Sequence, residues 1–107
     1  MALFGVYGEH SPDRCPLVCP ESAKSLHRFA SYVKERNLGE WGIREIRGQY
    51  HAALEHTFIW IIEADAAHSL ERFFIETGLV ASNKIKIIPL ITFEEDLVPM
   101  SARIHGL

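Results

Sequence analysis

Cysteine is scarce. The 107 residues hold two, Cys15 and Cys19, too few for a disulfide framework. No cluster of Lys and Arg runs along the chain, and its formal net charge is -3, which argues against a nucleic-acid footprint. The longest strongly apolar run, Phe58 to Ile62, falls far short of the roughly 20 residues that span a bilayer. No basic segment followed by a long apolar one opens the chain, so no signal peptide is expected. The sequence also lacks an internal repeat and any low-complexity tract. These absences leave a single soluble domain, large enough for a small core and expected in the cytoplasm.

What is present is organised around His56-Thr57-Phe58-Ile59-Trp60-Ile61-Ile62-Glu63-Ala64-Asp65. This stretch is mostly β-branched or aromatic, as suits a packed strand. Alternation sends Thr57, Ile59, Ile61 and Glu63 to one face and His56, Phe58, Trp60 and Ile62 to the other. Both sets are apolar at the centre, so both faces are expected to be covered. Asp65 is placed to cap a following helix.

Ala2 to Tyr7 reads as a first strand, and Gly8 to Cys19, with Pro12 and Pro16, as a loop. Pro20-Glu21-Ser22 opens a helix, whose apolar stripe is Ala23, Leu26, Phe29, Ala30 and Val33. Asn37-Leu38-Gly39 is its stop. Trp41 to Tyr50 reads as a second strand. A second helix covers Ala66 to Thr77, burying Leu70, Phe73 and Phe74, with Gly78 as its stop. The last strand runs from Lys84 to Phe93, and Pro89 inside it predicts an edge position. Residues 1–95 form one α+β domain, and residues 96–107 are a C-terminal tail, free to wrap a partner or to move.

Strand, helix, strand, strand, helix, strand is the ferredoxin-like βαββαβ plan. It predicts a four-stranded antiparallel sheet with two helices on one face. The other face is expected to be covered by a twofold copy of the chain, with Phe58, Trp60 and Ile62 on that dimerising side.

Four stretches carry a resemblance: His10-Ser11-Pro12-Asp13-Arg14-Cys15-Pro16, the strand from His56 to Asp65, Phe73-Phe74, and Ile87-Ile88-Pro89-Leu90-Ile91. Through them the chain resembles small uncharacterised members of the dimeric α/β-barrel, ferredoxin-like superfamily. The resemblance implies the fold and a homodimer. It leaves function open, because that superfamily includes monooxygenases, isomerases, dehalogenating and decarboxylating enzymes, and plain ligand- or metal-binding proteins.

Two groups of residues point to chemistry. If 52–55 form the hairpin loop, His51 and His56 face each other with Cβ atoms roughly 5 Å apart. Gln49 then opposes Phe58, and Arg47 opposes Trp60. Ile46, Tyr50, Ile59 and Ile61 would pack under the helices. His51, His56, Arg47, Gln49, Trp60 and Phe58 would line a small-molecule pocket on the open sheet face, aromatic walls with a few polar groups. The plainer alternative is a polar dimer interface with the histidines at its rim. The second group is His10, Cys15 and Cys19, joined by His51 and His56 if the loop folds over. Imidazole and thiolate suit zinc, nickel or copper, although Cys-x3-Cys with a nearby His matches no standard zinc spacing. Cys19, just before a helix, is also placed for a lowered thiol pKa.

The leading expectation is a homodimeric protein that binds a small molecule or a transition metal. Two alternatives stand beside it. One is a small cofactor-independent enzyme, monooxygenase- or isomerase-like, with His51 or His56 as general base. The other is an assembly module with no ligand. No nucleic acid or membrane partner is expected.

Overall fold

The computed structural model describes residues 2–35 and 38–107. Its single sheet contains β1 (Ala2–Glu9), β2 (Ile43–Ala52), β3 (Thr57–Ala64) and β4 (Lys84–Leu90). They run in the order β2-β3-β1-β4, all neighbours antiparallel. α1 (Pro20–Glu35) links β1 to β2, and α2 (Ala67–Glu76) links β3 to β4. This is the ferredoxin-like α+β fold that the order of elements predicts. Pro89 does fall in an edge strand, opposite Phe4. A π turn (Phe93–Leu97) leads into α3 (Val98–His105). The tail is therefore largely helical.

The core lies between the sheet and the two helices. Phe4, Val6, Phe58, Trp60 and Ile62 from the sheet meet Phe29 of α1 and Leu70, Phe73 and Phe74 of α2. Phe29 stacks on Trp60 with ring centroids 5.3 Å apart, and Phe74 meets the same indole edge-on at 6.1 Å. Such ring pairs add to the gain from burial alone. Gly8 makes room for this packing. It pairs with Phe58 across β1 and β3, and a Cβ at residue 8 would lie 2.0 Å from the Phe58 ring.

The faces of β3 are the reverse of the sequence expectation. Phe58, Trp60 and Ile62 lie under the helices and are almost fully buried, whereas Ile59 is 45% exposed on the open face. Both sets are apolar, so alternation alone does not choose between them. The choice follows from what the helices present. Phe29, Phe73 and Phe74 are aromatic, and large flat rings on β3 fill the space between them. Tyr50 and Ile59 pair on the open side instead.

The register of the hairpin also differs. His51 opposes Phe58 and Gln49 opposes Trp60, with irregularities between Ile43 and Glu45 and between Ile46 and Gly48. Residues 53–56 form the turn, and His56 sits in it with φ 57° rather than in the strand. His51 and His56 therefore do not pair across the hairpin.

Smaller differences concern the helix ends. Asp65 does not cap α2; Ala66 occupies that position, and Asp65 instead lies 3.6 Å from Arg44. In α1 the buried residues are Ser22 and Phe29, and Ala30 is exposed. Of the expected α1 stop, Asn37 lies outside the described residues, and Leu38–Trp41 form a short 3-10 turn. Gly78 follows α2 with φ 83°, the left-handed conformation that glycine tolerates. Among the described residues no helix is long and apolar enough to cross a membrane.

Candidate metal and ligand site

β1 ends at Glu9, and the chain turns immediately into the Pro-rich loop. The turn is held by backbone bonds. The Cys15 N–H donates to the Pro12 carbonyl, and the Cys15 carbonyl accepts from Val18 and from Cys19, where α1 begins. The next strand pair delivers the second component. The His10 N–H donates to the His56 carbonyl at 3.0 Å, so the end of β1 is stitched to the β2–β3 turn. The two imidazoles then lie edge to face, with centroids 5.4 Å apart. One ligand atom each from His10, Cys15 and His56 lies within 4.8 Å of the others.

The hydrogen bonds fix which ring atoms are free. The Asn83 amide nitrogen donates to the Leu79 carbonyl at 3.1 Å, which identifies the other amide atom as oxygen. That Oδ1 lies 3.2 Å from His10 Nδ1, and an amide oxygen only accepts. His10 Nδ1 therefore carries a proton, which leaves Nε2 as the ring atom able to coordinate an ion. His10 Nε2 and His56 Nδ1 are both buried, with no hydrogen-bond partner among the described residues. A buried unpaired ring nitrogen costs free energy unless something coordinates it. A carbonyl-type oxygen on the far ring nitrogen is the usual support of a metal-ligating histidine. A tetrahedral ion with bonds of about 2.0–2.3 Å needs ligand atoms roughly 3.3–3.8 Å apart, so the donors draw together on binding. The His56 backbone holds a left-handed conformation that non-glycine residues adopt at a cost, as functional sites often do.

The other two metal candidates point elsewhere. The Trp60 indole N–H donates to His51 Nε2 at 3.1 Å, so that nitrogen is already used. Burial, and then the neighbouring His10, push the His51 imidazole below its ordinary value. The Cys19 thiol is drawn toward the first turn of α1. Proximity to the Ser22 hydroxyl, then to the N–H groups of Ser22 and Glu21, lowers its pKa from the usual thiol value. Both thiols are free; Cys15 is buried and Cys19 partly so.

A cavity of about 250 Å³ adjoins the triad. It lies between the loop before α1, α1 itself and the β2–β3 hairpin, on the helix side of the sheet rather than its open side. Its walls include His10, Cys15, His51, Phe58 and Trp60. Arg47 and Gln49 do not line it. Arg47 instead grips Glu63 through Nε and Nη2, at 3.0 and 2.6 Å, and this contact, foremost, raises its pKa. The residues that sequence reasoning missed are Asn83, which orients His10, and Arg14, Leu26 and Leu79 in the wall. Only Arg14 carried a local signal, as the cation within the His10–Cys15 stretch.

No protein family's profile matches the chain, and no curated protein matches it. Among solved structures it is similar to that of a dimeric ferredoxin-like protein from an uncultured marine organism. The two share 12% identity over 89% of this chain and 97% of that one, with a TM-score of 0.49. At that distance the fold assignment rests on strand order and connections, and these are ferredoxin-like throughout the sheet.

Proposed function

We propose that this is a homodimeric binding protein. In this reading His10, Cys15 and His56 hold a transition metal, zinc, nickel or copper, in the wall of an apolar small-molecule cavity. The observation that carries it is the convergence of three soft or borderline donors, two of them buried ring nitrogens without a partner. The cavity supports a ligand as well as an ion. About 150 Å³ of dry apolar space is enough to take benzene, and this one is larger. Proton abstraction by His51 is disfavoured because its Nε2 is already engaged by Trp60. A cytoplasmic location would keep both thiols reduced.

The dimer reading rests on apolar surface. Tyr50 is 66% exposed and Ile59 45% on the open sheet face, and Ile104 of α3 is 70% exposed. A second copy would remove such surface from water. The dimerising face remains the open one, but Tyr50, Ile59 and Ile88 form it, not Trp60.

The test is elemental analysis of untagged protein purified without chelator. Close to one equivalent of zinc, nickel or copper is expected, lost in Cys15→Ser and in His56→Asn. Asparagine is chosen because it tolerates the left-handed backbone at position 56. Less than roughly a tenth of an equivalent would end the metal reading, because mixed nitrogen and sulfur sites bind tightly.

A further inference from the structure

We infer that the ion's fourth coordination position opens into the cavity and takes a small carboxylate with a compact apolar or aromatic body. This rests on the metal reading above. Among the described residues the triad supplies three ligands, whereas zinc-type ions take four. The nearest further imidazole, His51, gives its Nε2 to Trp60. Two of the three ligands, His10 and Cys15, also line the cavity. An ion held by these ligands borders that space, which makes the cavity the source of the fourth donor.

Charge selects the donor. One thiolate and two neutral imidazoles around a divalent ion leave a net positive charge. Burying that charge in apolar surroundings is costly until an anion neutralises it. Arg14 adds a second positive charge at the exposed rim of the same wall, partly offset by the adjoining Asp13, and none of the described lining residues is Asp or Glu. A carboxylate meets both cations. The body of the ligand is set by Leu17, Leu26, Phe58, Trp60 and Leu79, which give apolar contact and flat ring faces. The cavity of about 250 Å³ sits just below the usual span of drug-sized sites, about 300–1,000 Å³. The ligand is accordingly small, the size of one ring or a short branched chain.

The experiment uses the full chain loaded with cobalt(II), whose visible bands report its coordination. Benzoate is the probe, benzyl alcohol its neutral counterpart, and acetate the head group alone. Loading should give the sulfur-to-cobalt band of Cys15. Benzoate should then shift the ligand-field bands saturably, and benzyl alcohol should not. Acetate should need at least roughly tenfold more, for want of apolar contact. Arg14→Gln should weaken benzoate roughly tenfold; an unchanged affinity would overturn the paired-cation assignment. If the sulfur band forms but benzoate leaves the bands unmoved, the ligand inference fails and the metal reading stands. If acetate binds as well as benzoate, the apolar body has no role and the ligand class is wrong. If no sulfur band forms at all, both fall together.

Discussion

Along the middle of β3 the two faces of the sheet carry equally apolar residues and come to opposite ends. Along β3, Phe58, Trp60 and Ile62 are sealed beneath α1 and α2, while Ile59 on the alternate face is 45% exposed. On the covered side, rings fill the space so well that a Cβ at residue 8 has no room. Toward the hairpin end that packing opens into the cavity beside His10 and Cys15. On the open side the apolar Tyr50 and Ile59 share the face with charged groups, among them the Arg47–Glu63 pair, Lys84 and Lys86. An apolar strand pattern thus says that a surface will be covered, but not what will cover it.

The largest expected effect breaks this comparison directly. Trp60→Ala removes a ring that is 1% exposed and stacked on Phe29. It should cost about 3–5 kcal/mol in urea denaturation. Ile59→Ala, one residue away on the other face, should cost less than about 1 kcal/mol when measured on dilute monomer. Equal losses would mean that the two faces are not distinguished as described.

The second effect concerns the open side. Ile59→Lys puts a charge in the middle of the proposed interface. It should raise the dimer dissociation constant at least roughly tenfold while leaving the monomer folded, read by sedimentation velocity and circular dichroism. A wild type that sediments as a monomer at micromolar concentration, or a variant that associates as well as wild type, would remove the dimer from the account.

The outline of the fold was legible because its signals are local. Leu70, Phe73 and Phe74 recur at helical spacing, Gly78 ends α2, and Pro89 marks an edge strand. The facing of the sheet was not legible, because Phe58 and Trp60 alternate with the equally apolar Ile59 and Ile61. The aromatic character of α1 and α2 decides between them, and that is a tertiary fact. The hairpin register was lost for a related reason. Two irregularities in β2 and a turn that absorbs His56 leave no mark in the residue pattern. At the site, the structure brings together His10, Cys15 and His56 from five candidates. It separates His51, whose Nε2 takes the Trp60 indole proton, and Cys19, which the first turn of α1 draws away. The pull of the α1 start on Cys19 was legible from Pro20-Glu21-Ser22 just after it, whereas the Trp60 bond to His51 was not, and Asn83 is 73 residues from the ring it orients.

A third, smaller effect separates the two thiols on the covered side. Cys15 is 5% exposed and Cys19 is more open, with a lowered pKa caused first by the Ser22 hydroxyl. Iodoacetamide near neutral pH should label Cys19 at least roughly tenfold faster than Cys15, because the exposed thiolate is the reactive form. Peptide mapping of metal-free protein reads the ratio. Faster labelling of Cys15 would contradict both its burial and the placement of Cys19.

The smallest effect lies at the rim of the covered face, where His51 accepts from Trp60. Burial, then His10, lower the folded-state pKa of His51 below its ordinary value. In the unfolded chain the imidazole titrates near its usual value of about 6.5. Between the two values the unfolded state binds the extra proton, so stability falls as pH falls. The contribution of neutral His51 is complete above pH ~6.5 and is lost as pH drops through the lowered folded value. His51→Gln keeps an acceptor for the indole N–H but does not titrate. Wild type should therefore lose more stability than His51→Gln between pH 7.5 and 5.5, measured by urea denaturation with chelator present so that metal-linked protons do not contribute. The same protonation breaks the Trp60 bond, so the indole Nε1–H resonance should move with the same midpoint. Parallel stability curves and a fixed indole resonance would show that His51 is not held neutral by its place against Trp60.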